Sequence, residues 1–374
     1  MKLLTAQTGA WKDVEASEDD AGAALERHLT TILVAERLVI LTGLGTSLCI
    51  KDDKGKRLAS TMPDLWKAAT AAAGATFDEI QQKVGWDGTE DIEALLTRCQ
   101  VALELKPDSR IESFLIEIEA LIVRECRFIQ PGLDLSVHET FLRRVARRTT
   151  KLPRTQLFTT NYDLAFETAA ANTGFAVIDG FSHAYPQRFD GAFFEHDFAT
   201  RDRERAAVPV DWVPNVLQLH KLHGSVDWVG GADGEVRRDA TVDRPLIIYP
   251  RSSKFELSYQ QPFLDLMSRF QTALRRPETG LLVIGSGFND DHISQPVMAA
   301  LRANVRLSVL VVSPSLETST NPHIGKIRDL IERGDRRLAL LAARFEEAVV
   351  RVPDLVADTE AERHEARFVA APNG

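Results

Sequence analysis

Four short apolar runs, each closed by a turn of small and polar residues, constrain this chain more than any other feature. Leu38 to Leu41 runs into TGLGTS, Gln156 to Phe158 into TTNYD, Leu281 to Ile284 into GSGFND, and Leu307 to Val312 into SPS. Continuous apolar runs of this length suit strands buried on both faces, as in a parallel sheet covered by helices. Amphipathic stretches lie between them. A helix is expected over 18–35, with Ala24, Leu25, Leu29, Ile32 and Leu33 on one face, and Phe263 to Leu274 reads the same way. Strands alternating with helices predict an α/β fold: a doubly wound, parallel-sheet, Rossmann-like core.

Two segments break the alternation. Residues 75–150 read as almost wholly helical, with Ile92, Leu95 and Leu96 on one face and Phe114, Leu115, Ile118 and Leu121 on another. This predicts a helical insertion at 75–150 inside a core formed by 1–74 and 151–345. Residues 180–215 are aromatic and polar without a clear period and read as a loop-rich insert or lid. Gly-Gly and Asp-Gly steps in 229–245 predict a hairpin. The tail, 346–374, reads as helical at first and then charged.

Composition removes several function classes. Lys plus Arg is 45 against 54 Asp plus Glu, a formal charge of −9. Coating nucleic acid needs clustered Lys and Arg, so direct sequence-specific nucleic-acid binding is not expected. The longest apolar stretch, Leu115 to Val123, is interrupted by Glu117 and Glu119, so no membrane span and no signal peptide are read. The three cysteines, Cys49, Cys99 and Cys126, form no CxxC. A disulfide framework and a four-cysteine zinc site are excluded, and a cytoplasmic location is the natural expectation.

Each turn has a chemical and a plainer reading. In Thr42-Gly43-Leu44-Gly45-Thr46-Ser47, glycine permits backbone N–H groups to approach a phosphate, and Thr46 or Ser47 can bond it. A tight strand-to-helix turn explains the same residues equally well. Asn161 and Asp163 stand where open sheets bind ligands, yet taken alone either is better read as a helix N-cap. His223, beside Gly224, suits proton transfer near neutral pH. His220 reads as a partly buried structural histidine. Gly285-Ser286 offers a second phosphate or ribose contact, and Asp290 and Asp291 read as helix caps.

Taken in order, TGLGTS, MPDLW, TTNYD, LHGS and IGSGF resemble the sirtuin family. The resemblance lies in Gly43, Gly45 and Ser47; Pro63 and Asp64; Asn161 and Asp163; His223 and Gly224; and Gly285 and Ser286. It covers roughly 36–66, 155–178, 216–228 and 246–342. Departures are plain: the interval from Gly224 to Gly285 has no cysteine, so the family's zinc module is absent. Leu65 and Trp66 replace the aromatic and Arg of its Pro-Asp segment. The chain is more similar to the zinc-free sirtuin-like NADases of bacterial anti-phage defence, through TTNYD, LHG, Ile247-Ile248-Tyr249-Pro250 and the IGSGFNDDHI loop.

That resemblance implies an NAD+ hydrolase (NADase) that depletes NAD, with NAD as substrate and no zinc. It implies catalytic residues Asn161, Asp163 and His223, and NAD contacts at Gly43, Gly45, Thr46, Ser47, Pro63, Asp64, Gly285 and Ser286. Asn161 would bond the ribose and place water, Asp163 would hold the carboxamide, His223 would act as base and Asp64 would orient its loop. Implied partners are further copies of the chain, as a homo-oligomer, and a HerA-type hexameric ATPase. The alternatives are an NAD-dependent protein deacylase or ADP-ribosyltransferase, or a non-catalytic NAD- or ADP-ribose-binding scaffold subunit of an ATPase complex.

Overall fold

The computed structural model describes residues 1–14, 20–146, 148–200, 211–231, 234–248 and 261–355. Tyr249 and Pro250 and the tail beyond 355 lie outside the described residues. The strands in chain order are β1 (Lys2–Thr5), β2 (Lys12–Asp13), β3 (Arg37–Thr42), β4 (Thr155–Thr159), β5 (Ala176–Ile178), β6 (Ala199–Thr200), β7 (Asp211–Trp212), β8 (Val216–Lys221), β9 (Trp228–Gly230), β10 (Val236–Arg238), β11 (Thr279–Ile284), β12 (Ser308–Val312) and β13 (Leu338–Ala342). The helices are α1 (Asp20–Leu33), α2 (Met62–Ala73), α3 (Ala75–Lys83), α4 (Ile92–Leu105), α5 (Ser109–Cys126), α6 (Ser136–Ala146), α7 (Ala165–Thr173), α8 (Phe263–Arg275), α9 (Asp291–Ala303), α10 (Pro322–Glu332) and α11 (Phe345–Val349).

One sheet of nine described strands runs β2-β1-β13-β12-β11-β3-β4-β8-β5. From β13 to β5 every pairing is parallel, and β1 and β2 close one edge antiparallel. The fold is α/β and doubly wound, as the apolar runs predict. Alternate residues of each strand enter opposite layers, because side chains alternate across a strand. Leu38, Ile40, Leu282 and Leu310 pack with α1, α6, α7 and α11. Val39, Leu41, Val283 and Val311 pack with α8, α9 and α10.

The strand order β8-β4-β3-β11-β12-β13 reverses at β3/β11. In open α/β sheets such a reversal leaves a crevice beyond the carboxyl ends of the two strands. The turns that follow β3 and β11 are Gly43–Gly45 and Gly285–Ser286, so both flank this crevice.

A third apolar cluster forms beside the sheet from α2, α3, α4 and α5. Leu65, Trp66, Phe77, Leu96, Phe114 and Ile118 belong to it, and Phe77 meets the rings of Trp66 and Phe114 edge-on at 5.0 and 5.8 Å. Helix α6 joins the sheet layer instead, through Phe141, Leu142 and Val145.

The described residues of the 180–215 stretch, 180–200 and 211–215, form an irregular insert set away from the crevice. Phe181 and Phe194 are buried in the second layer near Trp228, and no described residue of the stretch lines the crevice. Its lack of period reflects irregular backbone carrying buried rings. The expected hairpin is present as β9 paired antiparallel with β10. No described helix is long and apolar enough to cross a membrane.

Candidate active site

The crevice opens into a cleft of about 610 Å³. Its sheet side carries Gly43, Leu44, Asn161, Asp163, His223, Gly285 and Ser286, and its opposite wall comes from the α2–α5 cluster, including Pro63, Glu90, Glu93 and Glu125. Seven separated segments of sequence therefore converge on one cavity. A cleft of this size falls within the usual 300–1,000 Å³ of small-molecule and cofactor sites.

The two glycine turns hold each other. The Gly45 N–H donates to the Gly285 carbonyl at 2.9 Å, and the Gly43 N–H reaches the Ile284 carbonyl at 3.4 Å. The Thr46 N–H donates back to the Gly43 carbonyl at 3.0 Å, and the Gly285 N–H to the Val312 carbonyl at 3.0 Å. These four donors are committed inside the protein. Leu44, Ser286 and Gly287 line the cleft, and their N–H groups have no acceptor among the described residues. They are the backbone donors left for an anion.

Asn161 follows β4 and reaches across to the first turn. Its Nδ2 donates to the Gly43 carbonyl at 3.1 Å, the Thr46 hydroxyl at 3.2 Å and the Ser47 hydroxyl at 2.9 Å. Its Oδ1 has no partner among the described residues and remains as an acceptor. The Ser47 hydroxyl donates to Asp163 Oδ2 at 2.7 Å, and Asp163 Oδ1 accepts the Ala165 N–H at 3.0 Å. Asp163 thus bonds the first N–H of α7, one residue before the Leu164 N-cap, and also lines the cleft.

Several expected contact residues sit elsewhere. Thr46 and Ser47 are fully buried and, with Gly45, do not line the cleft. Their hydroxyls position Asn161 and Asp163. Asp64 also lies off the cleft wall. It accepts from the Thr61 N–H at 2.9 Å and the Thr61 hydroxyl at 2.5 Å and pairs with Arg57, closing a capping box on α2. Those bonds to Thr61, with the Arg57 charge adding less, hold its carboxyl below the usual range. Asp290 stands at the N-cap of α9 but makes no side-chain cap bond.

His223 is 4% exposed and lines the cleft. Its Nε2 lies 2.7 Å from His292 Nε2. His220 is fully buried between Phe158 and Phe194, stacked at 4.3 and 4.0 Å, and burial, aided by the Arg269 charge, pushes its imidazole well below its ordinary range. It is structural, as expected. Cys126 lines the cleft as a thiol pushed up to about 12, chiefly by burial and then by Asp163 and Glu125.

Lys221 is a residue that motif reading misses. Its ammonium is 2% exposed, donates to the Tyr162 carbonyl at 3.2 Å, also reaches the Asp163 carbonyl, and pairs with Glu167 at 2.9 Å. The Tyr162 hydroxyl donates to the Ile248 carbonyl at 2.6 Å. Together these bonds clamp the turn that presents Asn161. The only local signal is a lysine in LQLHKL, where Leu217, Leu219 and Leu222 are buried beside it. Among the described residues no group of three or more His, Cys, Asp or Glu is arranged to hold a metal ion.

Residues 155–323 match the family model of the SIR2-like domain. The SIR2-like segment carries Asn161, Asp163, His223, Gly285 and Ser286, and it excludes the first glycine turn and α2–α5. Among solved structures, the chain is similar to one described as "Structural Basis for the Mechanism and Regulation of Sir2 Enzymes", with a TM-score of 0.40 and 9% identity, over 92% of this chain and 99% of that one. No curated protein matches this sequence.

Proposed function

We propose that the cleft binds NAD+ and hydrolyses its nicotinamide–ribose bond, releasing nicotinamide and ADP-ribose. One observation carries the reading: both glycine turns at the sheet's reversal point, Asn161 and His223 line a single cleft. The SIR2-like match over the segment bearing Asn161 and His223 supports NAD as the substrate.

The chemistry assigns work to atoms already described. The N–H groups of Leu44, Ser286 and Gly287 bind the diphosphate. Asn161 Oδ1 accepts from a ribose hydroxyl or from the attacking water. The C1′–N bond breaks, and its electron pair passes to the nicotinamide ring nitrogen, whose positive charge is lost. Water adds at C1′ and gives its proton to His223. Glu90, Glu93 and Glu125 on the opposite wall favour the positive charge that develops on the ribose. Asp163 supports the site mainly by holding Ser47 and the start of α7.

The same reading carries further proposals that rest on the resemblance to anti-phage NADases. These are NAD depletion in bacterial defence, a homo-oligomer in the cytoplasm, and a HerA-type ATPase partner. The α2–α5 wall is proposed to control access to the cleft.

Incubation of the purified chain with NAD+, alone and with any co-purifying ATPase, tests the reading by chromatography of products. Free ADP-ribose and nicotinamide, both lost in His223→Ala, support it. Acyl-ADP-ribose formed only with an acylated peptide would replace it with deacylation. Tight NAD binding without turnover in either preparation would replace it with a scaffold role.

A further inference from the structure

We infer that His292 is a positioning residue for His223, an inference that rests on reading the cleft as the NAD-hydrolysing site. The Nε2 atoms of the two rings are 2.7 Å apart, and the rings stack with centroids 4.8 Å apart at 25°. An N···N contact this short is a hydrogen bond in which one imidazole donates and the other accepts. The shared proton therefore fixes which tautomer His223 presents.

The placement gives this contact a purpose. His292 is the second residue of α9, which follows the Gly285–Ser286 turn after four intervening residues. His292 does not line the cleft, so it acts through His223. One helix start thus joins the loop proposed to bind diphosphate to the proposed base. That start is anchored in turn, because Asp291 Oδ1 lies 3.1 Å from His323 Nε2 on α10. Among the described residues, the charged or titratable groups near the pair include Asp290 and Asp291 at the start of α9, His323 on α10, and Tyr162, whose ring centroid is 6.5 Å from that of His223. His223 is nearly closed to water while His292 is partly exposed, so a proton taken up at His223 can be shared toward solvent.

The test uses the full chain with His292→Ala and His292→Gln. Loss of the contact should lower kcat about 10- to 100-fold, the scale of a misaligned catalytic group, with KM within about twofold. Gln, which can still bond His223 Nε2, should recover most of the loss. A parallel reading by ¹⁵N NMR of labelled histidines should show the His223 ring shifts moved in His292→Gln, because the Nε2 partner is no longer an imidazole. Unchanged kcat in His292→Ala, a loss confined to KM, or His223 shifts identical in parent and His292→Gln would each overturn the inference. If the parent does not turn over NAD, the hydrolase reading fails, and the NMR result alone still decides whether His292 sets the state of His223.

Discussion

Gly45 and Gly285 touch, and neither position has room for a side chain. A Cβ on Gly45 would lie 2.6 Å from Gly285 Cα, and one on Gly285 would lie 2.6 Å from the Thr46 nitrogen. Gly285 also has φ +70°, where side-chain-bearing residues are strained. The contact places the two cleft-facing turns at a fixed separation. Gly285→Ala should therefore cost roughly 2 kcal/mol or more in stability, from strain and clash together. NAD binding should fall with it. Thermal melts and calorimetric titration check this, and a variant with parental melting and affinity would show that the turns need no such contact.

Asn161 lines the cleft and is also a strut, because its Nδ2 holds three oxygens of the first turn. Asn161→Ala removes both roles and should reduce NAD hydrolysis at least ~100-fold. Ser47→Ala removes only one partner of Asn161 and one of Asp163, so its loss should be smaller. Equal losses in the two variants would place the effect in the fold of the turn rather than in Asn161 Oδ1.

The sheet was legible where burial on both faces erased period-2 alternation, as in β3, β4, β11 and β12. Strand β5 is three residues long and carried no such signal. The helical character of α4 and α5 was visible from their apolar faces, whereas α2 lies before the expected insertion and packs with it. The order of the turns brought Asn161 and His223 to one cleft, but the partners of each were hidden. The Ser47 bonds to Asn161 and Asp163 span 114 and 116 residues, and His223 meets His292 across 69. Such pairs are set by tertiary packing, and a local pattern cannot report them. Local pattern therefore points Thr46 and Ser47 toward a ligand, whereas their hydroxyls bond Gly43, Asn161 and Asp163.

The Lys221–Glu167 pair should matter more when broken than when replaced. Burial raises the Glu167 carboxyl, with the Lys221 charge opposing that rise. Lys221→Met leaves that acid without its cation and frees the carbonyls of Tyr162 and Asp163. It should cost about 3 kcal/mol. The double variant Lys221→Met with Glu167→Leu should regain part of the loss, since no buried charge remains. A double-mutant cycle on denaturation midpoints measures this, and strictly additive losses would mean the two side chains act independently.

His138 on α6 makes the fold sensitive to acid. Its ring is fully buried against Phe166 and Phe345, both at 5.1 Å, and neither ring nitrogen has a hydrogen-bond partner among the described residues. Burial pushes the imidazole down from 6.5 to about 4, against a weaker opposing pull from the Asp163 charge. The folded value is the lower one, so the unfolded chain takes up the proton first as pH falls. Stability is then complete above the unfolded value near 6.5 and is lost progressively down to the folded value near 4. Between pH 7 and pH 5 the loss from this group should be about 2 kcal/mol. His220 acts in the same direction, since its burial also disfavours the charged ring. His138→Leu should therefore match or exceed the parent at pH 5, keep the His220 share of the acid loss, and narrow the gap in melting temperature between pH 7 and pH 5. If the parent and His138→Leu lose the same stability over that interval, the buried ring at 138 is not what makes the fold acid-sensitive.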